Sequence, residues 1–370
     1  MDQFDVVVIG GGPGGYVAAI RAAQLGFKVA CIDEWKNAKG KPALGGTCTN
    51  VGCIPSKALL QSSEHYDHAL HHFAEHGITV KGASMDVAKM LTRKDTVVKQ
   101  NNDGILYLFK KNKVTFFHGR GAFAGAAKDG VYQIDVTGSS TTSITAKHVI
   151  IATGSNARAL PGAAFDEQLI LSNDGALRIG DVPKKLGVIG AGVIGLEMGS
   201  VWRRLGSDVT VLEGLPVFLG AVDEQVAKEA MKLFTKQGLK ISLGVKVGTV
   251  KAGKNNVTVE YTTADGKEAT FVEPHTCCVG VEADGVRHTT DRDDQLVEHG
   301  GFGFAVGCRV LNGHVIFARL YRTDFDTKAD LQALLGEELH RFLRDLLIHC
   351  AEEYRQTFEH RYVGAEATPD

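Results

Sequence analysis

The sequence predicts an α/β fold built on two copies of the same β-α-β unit. Each unit consists of a short apolar strand, a glycine-rich turn, a helix and a second strand that ends in an acidic residue. The first glycine and the acid are 23 residues apart in both units, at Gly10 and Asp33 and at Gly190 and Glu213. A length of 370 residues accommodates two or three domains.

The first unit has each part of a dinucleotide-binding fingerprint in the required order. Residues 4–9 predict a buried parallel strand, residues 16–26 a helix and residues 28–32 the second strand. Gly10, Gly12 and Gly15 form the pattern G-x-G-x-x-G, which lets the backbone approach a pyrophosphate at a helix N-terminus. Asp33 is placed to accept a hydrogen bond from a ribose hydroxyl. A tight turn in an ordinary α/β fold needs no acid at this distance, so a Rossmann-like unit is the better interpretation.

The second unit repeats this arrangement. Residues 186–189 and 209–212 predict strands, residues 196–205 predict a helix, and the turn contains Gly190, Gly192 and Gly195. An acid at Glu213 favours a free ribose 2′-hydroxyl and would repel a 2′-phosphate, so NAD is preferred over NADP. Two such units with matching acids predict two bound dinucleotides.

A pair of cysteines, Cys48 and Cys53, lies five residues apart in the stretch L-G-G-T-C-T-N-V-G-C-I-P-S-K-A-L-L, residues 44–60. A zinc site needs about four ligands, and the other five cysteines form no second pair of this spacing. A structural disulfide is uncommon in a cytosolic protein, so a redox pair fits best. Five residues of regular helix rise about 7.5 Å, more than a disulfide spans, so the pair predicts a distorted turn near Asn50 and Gly52.

Composition and charge narrow the class of function. Apolar residues make up 44% of the chain and the net charge is −2, so nothing indicates nucleic acid or an anionic membrane as a partner. The sequence shows no signal peptide and no apolar run of about 18 residues, and its seven cysteines fit a reducing cytoplasm. Histidines are frequent in residues 61–77, which we interpret as a solvated helix face rather than a metal site.

The cysteine stretch carries a resemblance to a known family. G-G-T-C-T-N-V-G-C-I-P-S-K resembles the redox-disulfide motif of the flavin-dependent pyridine-nucleotide disulfide oxidoreductases, and I-P-S-K-A-L-L is most similar to its dihydrolipoamide dehydrogenases. The resemblance implies FAD in the first unit and NAD in the second. It also implies that Lys57 lies near the flavin and pairs with Glu197, and that A-T-G-S, residues 152–155, is the crossing from one domain to the other.

The reaction implied by this resemblance is oxidation of dihydrolipoamide with NAD⁺, in which Cys48 exchanges with the substrate and Cys53 faces the flavin. The implied partner is the lipoyl domain of 2-oxo acid dehydrogenase complexes, and the family is homodimeric. Other possibilities are a catalytically impaired remnant that only binds nucleotide or flavin, and another FAD-dependent disulfide reductase. The implied catalytic residues are Cys48, Cys53, Lys57 and Glu197. The implied cofactor-binding residues are Gly10, Gly12, Gly15, Asp33, Gly46, Thr47, Lys57, Gly121, Thr153, Gly154, Ser155, Gly190, Gly192, Gly195 and Glu213, and no metal is expected.

The expected domains are an FAD-binding domain over residues 1–152, an NAD-binding domain over residues 153–275 and an atypical tail over residues 276–370. The resemblance ends near Val272: the tail contains neither the family's second flavin segment, Y-A-I-G-D, nor its H-P-x-x-x-E motif with the general base. The tail therefore takes the place of the usual interface domain. Leucines at helical spacing predict an amphipathic helix at about residues 330–360.

Overall fold

A computed structural model describes residues 1–138, 141–220, 222–254, 256–273, 277–279, 304–310 and 316–320 of the protein. The described strands form three sheets of eight, five and three strands. The two larger sheets contain the two predicted β-α-β units, so the prediction of an α/β fold with two Rossmann-like units is confirmed.

The first sheet has a parallel centre with antiparallel additions. Its strands are β1 (Asp2–Ile9), β2 (Val29–Asp33), β3 (Thr115–His118), β4 (Arg120–Phe123), β5 (Tyr132–Thr137), β6 (Thr141–Ile151), β15 (Phe304–Val310) and β16 (Ile316–Leu320). The main order is β16-β15-β6-β1-β2-β3, and β5 and β4 follow β6 in an antiparallel branch. The pairs β15–β6, β6–β1, β1–β2 and β2–β3 are parallel, so the carboxyl ends of these strands meet at one edge.

The helices that accompany this sheet are α1 (Pro13–Gln24), α2 (Gly46–Val51), α3 (Cys53–His71) and α4 (Val87–Lys111), and a 3₁₀ turn covers Phe73–His76. Helix α1 begins with Pro13, whose fixed φ suits the first helical position and whose missing N–H costs nothing there. The N-cap of helix α4 is Asp86, whose carboxylate accepts a 2.9 Å hydrogen bond from the amide of Lys89.

The second sheet is entirely parallel, with the order β10-β9-β8-β14-β7. Its strands are β7 (Ile170–Leu171), β8 (Lys185–Ile189), β9 (Asp208–Leu212), β10 (Lys240–Ser242) and β14 (Cys277–Val279), and its helices are α5 (Asn173–Ala176), α6 (Val193–Arg204) and α7 (Glu224–Gln237). The third sheet is the antiparallel meander β11 (Lys246–Ala252), β12 (Val257–Thr262) and β13 (Glu268–Glu273). The helix predicted at about residues 330–360 lies outside the described residues.

A continuous apolar core joins the two dinucleotide-binding units. Leu59 of α3 and Met90 of α4 pack in the same buried cluster as Leu177, Leu196 and Trp202 of the second unit. Burial of such side chains is worth roughly 1.5–3 kcal/mol each, so α3 and α4 are fixed against the second unit. This packing places the junction of α2 and α3, which the cysteine pair bridges, beside the second unit. Among the described residues, no helix is long and apolar enough to cross a membrane.

Candidate active site

The first glycine-rich turn lies at the carboxyl edge of the first sheet and fits a dinucleotide. Gly10 has φ +108°, and a Cβ there would lie 2.0 Å from the carbonyl oxygen of Ala152. A Cβ on Gly15 would lie 1.8 Å from the carbonyl oxygen of Gly10, so only glycine lets α1 approach β1 this closely. Gly12 is the N-cap of α1 and has no side chain that could cap the helix, which leaves amides of the first helical turn for a pyrophosphate.

The second turn has nearly the same geometry. Gly190 has φ +107°, and a Cβ on Gly195 would lie 2.1 Å from the carbonyl oxygen of Gly190. Gly192 is the N-cap of α6 with φ −72° and ψ 176°, against −75° and −176° at Gly12. The equal spacing in the sequence therefore corresponds to equal backbone geometry, and the second turn also fits a pyrophosphate.

Both acids fold back onto the glycine-rich turn that precedes them. Asp33 accepts hydrogen bonds from the amides of Gly11 at 2.6 Å and Trp35 at 2.8 Å. Glu213, only 8% exposed, accepts from the equivalent amides of Ala191 at 2.6 Å and Leu215 at 2.8 Å. A carboxylate has about four acceptor positions, so each acid can still accept from a ribose hydroxyl. These bonds give both acids a second role, which is to fix the shape of the turn.

The cysteine pair bridges the junction of two helices. Cys48 lies in α2, Cys53 is the first residue of α3, and Gly52 separates the helices. The Sγ atoms form a disulfide with a Cα–Cα distance of 4.7 Å, so the predicted pairing and the predicted break in the helix are confirmed. A Cβ on Gly52 would lie 3.0 Å from the carbonyl oxygen of Thr47 and 3.1 Å from the Cα of Cys48, so glycine allows the close approach.

Two asparagines hold the start of α2. The Asn50 side chain donates to the carbonyl of Gly46 at 2.8 Å and more weakly to that of Leu44 at 3.4 Å. Asn102, on α4, donates to Leu44 at 2.5 Å and to the side-chain oxygen of Asn50 at 3.1 Å. The break in the helix lies at Gly52, and Asn50 acts by fixing the backbone before it.

The segment that contains both cysteines, residues 44–60, is called the redox segment below, and it lies directly on the first glycine-rich turn. The amide of Gly45 donates to the carbonyl of Gly11 at 2.8 Å, and a Cβ on Gly46 would lie 2.7 Å from the Cα of Gly12. The Thr47 hydroxyl donates to the carbonyl of Ser155 at 2.7 Å, which brings the A-T-G-S segment to the same edge of the sheet. A dinucleotide held by this turn would therefore lie beside the disulfide.

Lys57 and Glu197 form an ion pair between α3 and α6. The Lys57 side chain is 42% exposed and that of Glu197 is 22% exposed, so the pair is only partly buried. Lys57 lies one helical turn after Cys53. The pair joins the helix that carries the redox pair to the helix that follows the second glycine-rich turn.

The remaining predicted residues have less distinctive surroundings. A Cβ on Gly121 would lie 3.1 Å from Ile32 Cδ1, so tight packing within the sheet is enough to favour a glycine there. Thr153 and Gly154 are exposed after β6. In the part of the chain that the structure describes, no cluster of three metal-ligating side chains occurs. At the end of α3, His71 lies 3.1 Å from the Asp67 carboxylate, and His72 lies 3.8 Å from that of Glu75.

Among the described residues, Cys31 is a free cysteine outside the pair. It is fully buried in β2. Burial raises the pKa of the Cys31 thiol well above its ordinary value, and the nearby Asp33 carboxylate raises it further. A thiol that stays protonated is a poor nucleophile, so Cys31 is an inert core residue.

Sequence reasoning missed two polar side chains that hold the elements around the site. Asn173, on α5, donates to the carbonyl of Val51 at 2.6 Å. Lys94, only 5% exposed, donates to the carbonyl of Leu177 at 3.1 Å. Lys94 follows Val87 and Met90 on the buried face of α4, so a lysine at an apolar position of a helical repeat was the available signal. Asn173 gave no comparable signal.

Comparisons with known proteins agree with this geometry. Residues 4–311 match the family described as pyridine nucleotide-disulphide oxidoreductase. A dihydrolipoyl dehydrogenase of Cupriavidus necator is 63% identical over 271 residues, which are 73% of this chain and 56% of that protein. The mitochondrial dihydrolipoyl dehydrogenase of Pisum sativum is 42% identical over 350 residues, 92% of this chain and 68% of that protein.

A solved structure has the same architecture. LpdA from Mycobacterium tuberculosis superimposes with a TM-score of 0.66 at 25% identity, covering 79% of this chain and 61% of that protein. The chain thus spans about half to two thirds of the length of these relatives. The family match covers most of the sequence, and the structure contains a disulfide beside the first of two similar glycine-rich turns. The chain therefore belongs to the pyridine nucleotide-disulphide oxidoreductase family.

Proposed function

We propose that the protein is a dihydrolipoyl dehydrogenase that oxidises dihydrolipoamide with NAD⁺ through the Cys48–Cys53 disulfide. The observation that carries this proposal is the contact between the redox segment and the first glycine-rich turn, at Gly45–Gly11 and Gly46–Gly12. This contact supports a reaction in which an exchangeable disulfide lies beside a bound dinucleotide. The relatives named dihydrolipoyl dehydrogenase support this choice of substrate.

The chain's own residues account for the thiol chemistry. A thiolate of dihydrolipoamide attacks the Sγ of Cys48, which breaks the Cys48–Cys53 bond and forms a mixed disulfide. The second thiol of the substrate then closes lipoamide and releases Cys48, so two electrons and two protons pass to the pair. Cys53 is at the first position of a 19-residue helix, where the dipole favours negative charge on its sulfur.

FAD and NAD are the cofactors of this family, and both turns fit a dinucleotide. We assign FAD to the first turn, with Gly10, Gly12, Gly15 and Asp33, and NAD to the second. The second site consists of Gly190, Gly192, Gly195 and Glu213. When bound, FAD supplies a carrier for the electron pair between the dithiol and the nicotinamide. Lys57 adds a positive charge one helical turn from Cys53, and Glu197 holds that charge in place.

The remaining assignments follow from this function. Residues 1–152 would form the FAD-binding domain and residues 153–275 the NAD-binding domain, with the crossing at the A-T-G-S segment beside Thr47. The physiological substrate would be the lipoyl domain of a 2-oxo acid dehydrogenase complex. The buried, free thiol of Cys31 is consistent with a cytoplasmic location.

Steady-state formation of NADH from dihydrolipoamide and NAD⁺ tests the proposal. We expect turnover by the wild-type protein and no detectable turnover by Cys48→Ser. Cys31→Ala is the matched control, because it removes a thiol that lies in the core and takes no part in exchange. Turnover by Cys48→Ser at the wild-type rate would contradict the assignment of the redox pair.

A further inference from the structure

Helix α5 lies between the second sheet and the redox segment. It follows β7 directly, and its N-cap is Ser172, whose hydroxyl accepts a 3.2 Å hydrogen bond from the amide of Asp174. Asn173, the first helical residue, donates from its side-chain amide to the carbonyl of Val51 at 2.6 Å. Val51 is the last residue of α2, three positions after Cys48 and two before Cys53. A residue of the second unit therefore contacts the backbone between the two cysteines.

The position of α5 is itself fixed from the other end. The carbonyl of Leu177, which follows α5, accepts a 3.1 Å hydrogen bond from the buried ammonium of Lys94. Ala176 and Leu177 also pack in the core cluster that contains Met90 of α4. The backbone that carries the Asn173 side chain is therefore held in position against α4.

The carbonyl of Val51 needs a partner from outside its own helix. In continuous helix it would accept from the amide four residues later, but that residue is Pro55, which has no N–H. A partly buried carbonyl without a donor costs free energy, and Asn173 supplies the donor. The contacts of Asn50 and Asn102 hold only the other end of α2, so they do not replace it.

We propose that Asn173 is a positioning residue for the redox pair, which holds the α2–α3 junction in place when the Cys48–Cys53 bond is open. In the disulfide form the covalent bond fixes the junction. In the dithiol form the short backbone link still joins the two cysteines, but only noncovalent contacts fix the position of α2 relative to α3. Helix α3 has 19 residues and packs in the core, whereas α2 has only six residues and is the more easily displaced. The Asn173 bond keeps the two thiols close and so favours re-formation of the disulfide. This inference rests on the proposed redox role of the pair.

The thiol–disulfide equilibrium of the full-length protein tests it. Wild type, Asn173→Ala and Asn173→Leu are equilibrated in glutathione buffers of graded ratio, quenched with an alkylating reagent and analysed by mass for the peptide that carries both cysteines. Leucine is close to asparagine in size and has no donor, so it fills the space of the side chain if alanine impairs folding. Asn101→Ala is the control, because it removes an amide-to-carbonyl bond of 2.9 Å, to Val97, on the exposed face of α4.

We expect both Asn173 variants to lower the equilibrium constant for disulfide formation about two- to tenfold, the range for one lost hydrogen bond. A tenfold change corresponds to a midpoint about 30 mV higher. Asn101→Ala should leave the constant unchanged. An unchanged constant in both Asn173 variants, whatever their melting temperature, would overturn the positioning role while leaving the proposed function intact. A wild-type pair that does not titrate would refute the redox role and this inference with it.

Discussion

Replacement of Gly15 by alanine should weaken flavin binding while leaving most of the fold in place. The added Cβ would lie 1.8 Å from the carbonyl oxygen of Gly10, whereas an ordinary contact between carbon and oxygen is about 3.3 Å. Helix α1 must therefore move about 1.5 Å from β1, a strain worth about 1–3 kcal/mol. The amides at the start of α1 move with it, and misplacement of about 1 Å can cost a hundredfold in a binding or catalytic geometry. We expect FAD affinity to fall at least tenfold.

The flavin content of the purified variant, from its visible absorption per polypeptide, measures this effect. Gly104→Ala is the matched control: Gly104 is in the middle of α4, a Cβ there meets nothing within 4 Å, and the change should stabilise the helix by about 0.5–1 kcal/mol. Gly195→Ala repeats the clash in the second turn, at 2.1 Å, and should retain flavin while weakening NAD binding. Full flavin content in Gly15→Ala would refute the assignment of the first turn.

Three further predictions concern stability. Lys57→Met and Glu197→Gln should show a coupling of about 1 kcal/mol in a double-mutant cycle of urea unfolding, because the pair is only partly buried; additive effects would contradict their pairing. Lys94→Met should lower the unfolding free energy by about 1.5–3 kcal/mol by leaving a buried carbonyl unpaired, and the exposed Lys89→Met should not. Burial alone would raise the pKa of Asp166, but hydrogen bonds from three backbone amides outweigh it and lower the pKa. Its charge therefore stabilises the fold above the unfolded-state pKa of about 3.9, and this contribution is lost as the pH falls through the lower folded value. Asp166→Asn, which keeps the acceptor oxygen, should make the unfolding free energy less sensitive to acid, by less than about 1 kcal/mol because the group is exposed; an unchanged pH profile would contradict this.

The parts of the fold with a local sequence pattern were predicted closely. The strand predicted at residues 186–189 is β8, Lys185–Ile189, and the helix predicted at residues 196–205 is α6, Val193–Arg204. The pairing of Cys48 with Cys53 was also predictable, because the other cysteines form no second pair of this spacing. The bridge needs a break in the helix, and Gly52 supplies it. In each case the residues that determine the structure lie within one short segment of the chain.

The parts that depend on packing between distant segments were not predicted. Helix α5 has four residues, too few for a periodic pattern, and the contact of Asn173 with Val51 joins positions 122 residues apart. The expected roles of Asp33 and Glu213 were incomplete for the same reason: spacing indicates a ribose acceptor, but their bonds to the turn depend on side-chain geometry. The hairpin of β15 and β16, which extends the first sheet, follows Val272, where the recognisable sequence motifs end.

The most direct test of the proposed function is the visible absorption spectrum of the purified protein, recorded without oxygen before and after addition of dihydrolipoamide and in the absence of NAD⁺. If the disulfide lies between substrate and flavin, the wild-type protein contains flavin and its spectrum changes when the dithiol is added, while that of Cys48→Ser does not. A protein without flavin, or a flavin whose spectrum responds equally in Cys48→Ser, would contradict a reaction through the Cys48–Cys53 pair.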